Sequence, residues 1–90
     1  EYKKKLSVKI EMKSLDSKLI KKFKIIFKLK KNILKKNLTQ KKIKSWDSLN
    51  HVILLLSIQE TFKIKFKISE YEQLTSFDKI IKLIKKKLKN

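Results

Sequence analysis

The 90-residue chain carries 26 basic residues, all of them Lys, against eight carboxylates, a formal net charge of +18, with one His and no Cys. This length supports one domain, near the lower end of what holds a core without staples. Disulfides and thiolate metal sites are excluded, the redox compartment is left open, and so few other donors offer little material for a metal cage.

Gly, Pro, Ala and Arg are absent as well. Three readings of the charge compete: a nucleic-acid binder, a membrane-surface protein, or a chain shaped by the biased residue supply of an AT-rich genome. Phosphate readers usually include Arg, whose planar fork suits bidentate contacts, so specific nucleic-acid recognition is not expected. The charge still permits non-specific binding. The longest apolar run, Val52 to Leu56, is far short of a transmembrane span and of a signal-peptide core. The chain begins at Glu1, so a trimmed leader or a longer N-terminus is expected.

Residues 1–14 read as a basic extension. Leu6, Val8, Ile10 and Met12 alternate with polar residues, which suits a strand better than a helix. With no partner strand in sight, disorder or a loosely docked arm serves equally well. The domain proper is expected over residues 15–90. Ser14 or Asp16 is placed to cap a first helix, whose stripe is Leu19, Ile20, Phe23, Ile26 and Phe27. That helix should fade around Lys30 to Asn32. A long loop follows over residues 31–46, anchored by Ile33, Leu34, Leu38, Ile43 and Trp46. A second helix runs from Leu49 to about Phe62. Ile64, Phe66 and Ile68 alternate with Lys in an extended connection, and a helical turn is expected around Ser69 to Gln73. Ser76 caps a final helix with Phe77, Ile80, Ile81, Ile84 and Leu88 on its apolar face. The predicted fold is all-α: a small four-helix bundle, three helices long and one short, with a long loop between the first two.

Charge divides unevenly. Residues 1–44 have 17 Lys and three acids; residues 45–90 have nine Lys and five acids. The second, more ordinary half contains the stretch Ser45-Trp46-Asp47-Ser48-Leu49-Asn50-His51, which resembles the Asp-Ser-Leu attachment motif of acyl carrier proteins. Glu60-Thr61-Phe62-Lys63-Ile64-Lys65-Phe66 is similar to that family's Glu-x-Phe-Gly-Ile segment. Leu74-Thr75-Ser76-Phe77-Asp78-Lys79-Ile80-Ile81 resembles the start of its last helix. The likeness spans residues 15–88 in matching order.

The resemblance implies a non-catalytic carrier with 4′-phosphopantetheine joined through a phosphodiester to Ser48. A helix N-terminus suits such an anion. Asp47 would cap the helix and help the modifying transferase and its metal ion to engage. Leu49 would be the exposed apolar contact gripped by partner enzymes, with Asn50, His51 and Glu60 beside it. Val52, Leu55, Leu56 and Ile81 would form a core that parts to shelter an acyl chain. The implied partners are a phosphopantetheinyl transferase and acyl-loading and acyl-transfer enzymes, met by a cytoplasmic monomer or, after loss of a leader, an organellar one. The cargo stays open among fatty acyl, polyketide, aminoacyl and sugar-modifying acyl groups.

Two departures stand out. Lys63 occupies the position of the usual Gly, making a left-handed turn there less comfortable. Asn50, Ser57 and Gln59 stand where acids are expected, so electrostatic attraction to basic enzymes is much reduced. Plainer readings also exist. Ser48 is a good helix cap in its own right, and Trp46 reads as a packed anchor. His51, one turn after Ser48, lacks the orienting acid and oxyanion site of a hydrolase. The rival function is a basic helical module for nucleic acid or anionic membrane, resting on the lysine-rich first half and the Leu19–Phe27 stripe.

Overall fold

Apolar residues recur every three to four positions in residues 15–27 and 77–88, which favours helices there. The computed structural model describes the backbone of residues 2–30 and 32–89, and the side chains of residues 15–30 and 32–89. Helix α1 spans Tyr2–Phe27, α2 Ser48–Phe62, α3 Ile68–Tyr71 and α4 Phe77–Lys89, with a 3-10 turn at Lys35–Asn37. No strand occurs among the described residues; the only β feature is an isolated antiparallel bridge between Thr39 and Ser76. The fold is all-α, with the expected long connection between α1 and α2.

Helix α1 starts earlier than expected. The alternation of Leu6, Val8, Ile10 and Met12 lies within it rather than in a strand; the Lys, Leu, Glu and Met of this run are good helix formers, and no Gly or Pro interrupts it. How the side chains of residues 2–14 pack, and so whether they form a separate extension, lies outside the described residues. Asp16 is an interior position of α1, not its cap. Its carboxylate receives Lys35 Nζ at 2.8 Å and lies 3.8 Å from Lys85 Nζ, linking α1 to the 3-10 turn and to α4.

One hydrophobic core runs through the bundle. Helix α1 contributes Leu15, Leu19, Phe23 and Phe27; α2 contributes Leu54, Leu55, Ile58 and Phe62; α4 contributes Phe77, Ile80, Ile81 and Ile84. Leu38, Ile43 and Trp46 anchor the long connection and half-buried Ile33 packs against the core, whereas Leu34, also expected as an anchor, is exposed. Phe77 N–H donates to Leu38 O at 2.8 Å and Gln40 N–H to Thr75 O at 2.8 Å, stitching this loop to the start of α4. Ser76 Oγ accepts from Lys79 N–H at 3.2 Å, the expected cap. In the connection after α2, Phe66 is buried, but Ile68 is exposed and opens α3.

Two helices end without glycine. Lys28 and Lys63 adopt φ of 53° and 54°, the left-handed region. Leu29 N–H donates to Lys24 O at 3.1 Å, and Ile64 N–H to Gln59 O at 3.1 Å. These bonds occupy C-terminal carbonyls and fold the next apolar residue back onto the core.

Candidate functional site

Asp47 and Ser48 sit where the long loop meets α2. Asp47 has extended backbone geometry, and its Oδ1 accepts from Asn50 N–H at 2.8 Å. It is therefore the helix cap, and Ser48 is the first helical residue. Asn50 Nδ2 donates to Ser45 O at 2.7 Å, clamping the loop across the helix start. Ser48 and Leu49 are both exposed. Their N–H groups have no protein acceptor among the described residues, as expected for the first turn of a helix.

Behind this turn the chain is held rigidly. Trp46 is only 3% exposed. Its ring stacks on Phe27 at 5.2 Å and meets the edge of Phe23 at 5.3 Å. Its Nε1–H donates to His51 Nδ1 at 2.8 Å, and His51 Nε2 lies 2.7 Å from Tyr71 O. Indole can only donate and a carbonyl can only accept. The imidazole is thus the neutral tautomer with its proton on Nε2, donating to Tyr71 O. Both ring nitrogens are committed, so His51 is a clip joining the loop, α2 and α3 rather than a free flanking group for partners.

Gln59 makes a second clip. Its Oε1 accepts from Phe66 N–H at 2.8 Å, while its Nε2 donates to Tyr71 Oη and to Leu55 O, each at 3.2 Å. An acid at position 59 accepts the first bond but cannot donate the others. Gln59 and Asn50, at positions where acids were expected, thus use their amides structurally: Gln59 both donates and accepts, and Asn50 donates to Ser45 O. Glu60 is exposed, as a partner contact requires.

The expected acyl-sheltering quartet divides. Leu55 and Ile81 are buried, but Val52 and Leu56 face solvent at 41% and 55% exposure. Helix α2 is apolar all round, and its inward face turns out to be Leu54, Leu55, Ile58 and Phe62. Leu49, Val52, Ile53 and Leu56 form an outer stripe instead. A groove of about 580 Å³ lies between α3 and α4, floored by Leu74 and Leu83, and none of that quartet lines it.

Glu70, in α3, holds its carboxyl below the ordinary carboxylate range. The Lys67 N–H, donating to Oε1 at 2.7 Å, is the main cause; Lys87 Nζ, 3.1 Å from the same oxygen, adds to it against the opposing cost of desolvation. This pair links α3 to α4.

A phosphodiester on Ser48 fits these surroundings: an exposed hydroxyl, two unpaired N–H groups and the positive end of a 15-residue helix. Among the described residues, no cluster of His, Cys, Asp or Glu is arranged to hold a metal ion, and no helix is long and apolar enough to cross a membrane. The chain matches no family model, no curated protein and no solved structure.

Proposed function

We propose that the protein is an acyl carrier, with Ser48 accepting a 4′-phosphopantetheine arm from a phosphopantetheinyl transferase. The observation that carries this reading is the exposed Ser48 hydroxyl at the first position of α2, directly after the Asp47 cap. The arm would supply the thiol that holds acyl groups as thioesters, so a chain without Cys suffices.

In this reading the chain's own residues position and present the hydroxyl. Asp47 orders the first turn through Asn50 N–H. The unpaired N–H groups of Ser48 and Leu49 would stabilise negative charge on the modified side chain. Trp46 and His51 keep the approach to Ser48 fixed. Asp47 is exposed, and its second oxygen is free to meet the transferase and its metal ion. The protein is read as non-catalytic, a cytoplasmic monomer that serves acyl-loading and acyl-transfer enzymes.

The deciding experiment is incubation with coenzyme A and a broad-specificity transferase, followed by intact mass measurement. One phosphopantetheinyl group should be added to the protein and none to Ser48→Ala. The second reading, a basic module for nucleic acid or anionic membrane, draws on the net charge of +18. It predicts tight, steeply salt-dependent binding to DNA or anionic vesicles.

A further inference from the structure

The lysines of α4 divide by what they meet. Lys85 Nζ lies 3.8 Å from Asp16 and Lys87 Nζ 3.1 Å from Glu70. Lys79 Nζ reaches the Thr75 hydroxyl at 3.4 Å. Lys82 and Lys86 have no carboxylate partner among the described residues. Lys79, Lys82 and Lys86 stand at i, i+3 and i+7, on one side of the helix, where like charges repel one another. That side is a wall of the groove between α3 and α4.

The groove joins this charge to a recessed apolar floor. Leu74 is 2% exposed and Leu83 is half-buried. Its volume of about 580 Å³ falls within the roughly 300–1,000 Å³ of small-molecule sites. Glu70 also lines it, but the Lys67 N–H at 2.7 Å and Lys87 Nζ at 3.1 Å already offset that carboxylate.

We infer that the α3–α4 groove binds a small free amphiphile: a phosphate monoester whose head meets Lys79, Lys82 and Lys86 and whose apolar body lies along Leu74 and Leu83. Charge selects the head. Three ammonium groups along about two helical turns suit a doubly charged anion, which also relieves their mutual repulsion. The floor selects the body, because inorganic phosphate leaves Leu74 and Leu83 in contact with water. Nucleic acid fits less well, since no aromatic side chain lines the groove for bases to stack on. A membrane surface fits less well too, since it takes up protruding apolar groups and these two are recessed. The ligand is free rather than carried on Ser48, so the inference stands apart from the carrier reading.

The test titrates the unmodified protein with decyl phosphate, kept below its micelle-forming concentration, by calorimetry at low ionic strength. Inorganic phosphate and decanol serve as head and tail alone. We expect decyl phosphate to bind about tenfold tighter than either, and to shift the backbone amide resonances of Leu74, Lys82 and Leu83. Lys82→Gln with Lys86→Gln should weaken binding about tenfold. Lys21→Gln with Lys65→Gln removes the same charge from exposed sites off the groove and should change it less than about twofold. Circular dichroism confirms that both variants are folded. Absence of binding, or equal binding of inorganic phosphate, overturns the inference. Equal weakening in the two double variants does so as well, because it assigns the affinity to net charge alone. So do resonance shifts confined to Leu49, Val52 and Leu56, which place the ligand on α2, or binding to phosphatidic acid vesicles without binding to monomeric decyl phosphate, which assigns the groove to a lipid surface.

Discussion

Replacing His51 by Leu keeps much of the side-chain volume and removes both hydrogen-bonding nitrogens. The Trp46 Nε1–H, held 2.8 Å from His51 Nδ1, then loses its acceptor beside a ring that is 3% exposed. Leaving one buried donor unsatisfied costs about 1–3 kcal/mol. The Tyr71 carbonyl belongs to a half-buried residue near the surface, so water replaces its donor at little further cost. The expected loss is about 2 kcal/mol, a large share of a small domain's stability. A double-mutant cycle isolates the cause. Trp46→Phe removes the donor while keeping an aromatic ring against Phe23 and Phe27, and costs about 1–2 kcal/mol in packing. In Trp46→Phe/His51→Leu no orphan donor remains, so the pair should cost about 1 kcal/mol less than the sum of the singles. Urea unfolding followed by far-ultraviolet circular dichroism measures all four proteins. Additivity within about 0.3 kcal/mol would refute the clip, as would a His51→Leu cost below about 0.5 kcal/mol.

The left-handed Lys28 and Lys63 make Lys28→Gly and Lys63→Gly stabilising. Relief of backbone strain, partly offset by the freer unfolded chain, gives about 0.5–1 kcal/mol each in urea unfolding; a loss of stability at both positions would contradict those backbone angles. Because the folded-state pKa of Glu70 is lowered, its contribution is present above the unfolded value and disappears as pH falls through the lower folded one. Acid titration should therefore destabilise the native protein more than Glu70→Gln as pH falls below about 4.5, the ordinary glutamate value at which the unfolded chain's carboxylate is half protonated; parallel stability curves would remove that role. Asp16 pairs with Lys35 and Lys85, and Glu70 with Lys87, in a chain whose net charge is +18. Self-repulsion should thus make the melting temperature rise with added salt, and a flat or falling trend would count against it.

Helical spacing made much of the fold legible. Leu19, Phe23 and Phe27 in α1 and Phe77, Ile80, Ile81 and Ile84 in α4 point inward as their spacing implies, while Ile20 and Ile26 at the edge of the first stripe are half-buried and Leu88, expected on the last, is exposed. The unbroken run Val52-Ile53-Leu54-Leu55-Leu56 carries no such contrast. Its inner side is set by packing against α1, so Val52 and Leu56 read as core although they face outward. Local alternation misled at Leu6 to Met12, where two-residue periodicity proved compatible with a helix. At the candidate site, Asp47 as cap and Ser48 as exposed head group follow from adjacent residues alone. The His51 and Gln59 clips do not, because their partners at Tyr71 lie 20 and 12 positions away and are brought near by the turn through α3.

The presentation of Ser48 at the head of α2 is the feature on which the proposed function depends. Intact mass spectrometry after reaction with coenzyme A and a broad-specificity transferase tests it most directly. The carrier reading predicts one added phosphopantetheinyl group, mapped to the peptide containing Ser48 and absent from Ser48→Ala. An unchanged mass, or an addition that persists in Ser48→Ala, would contradict it.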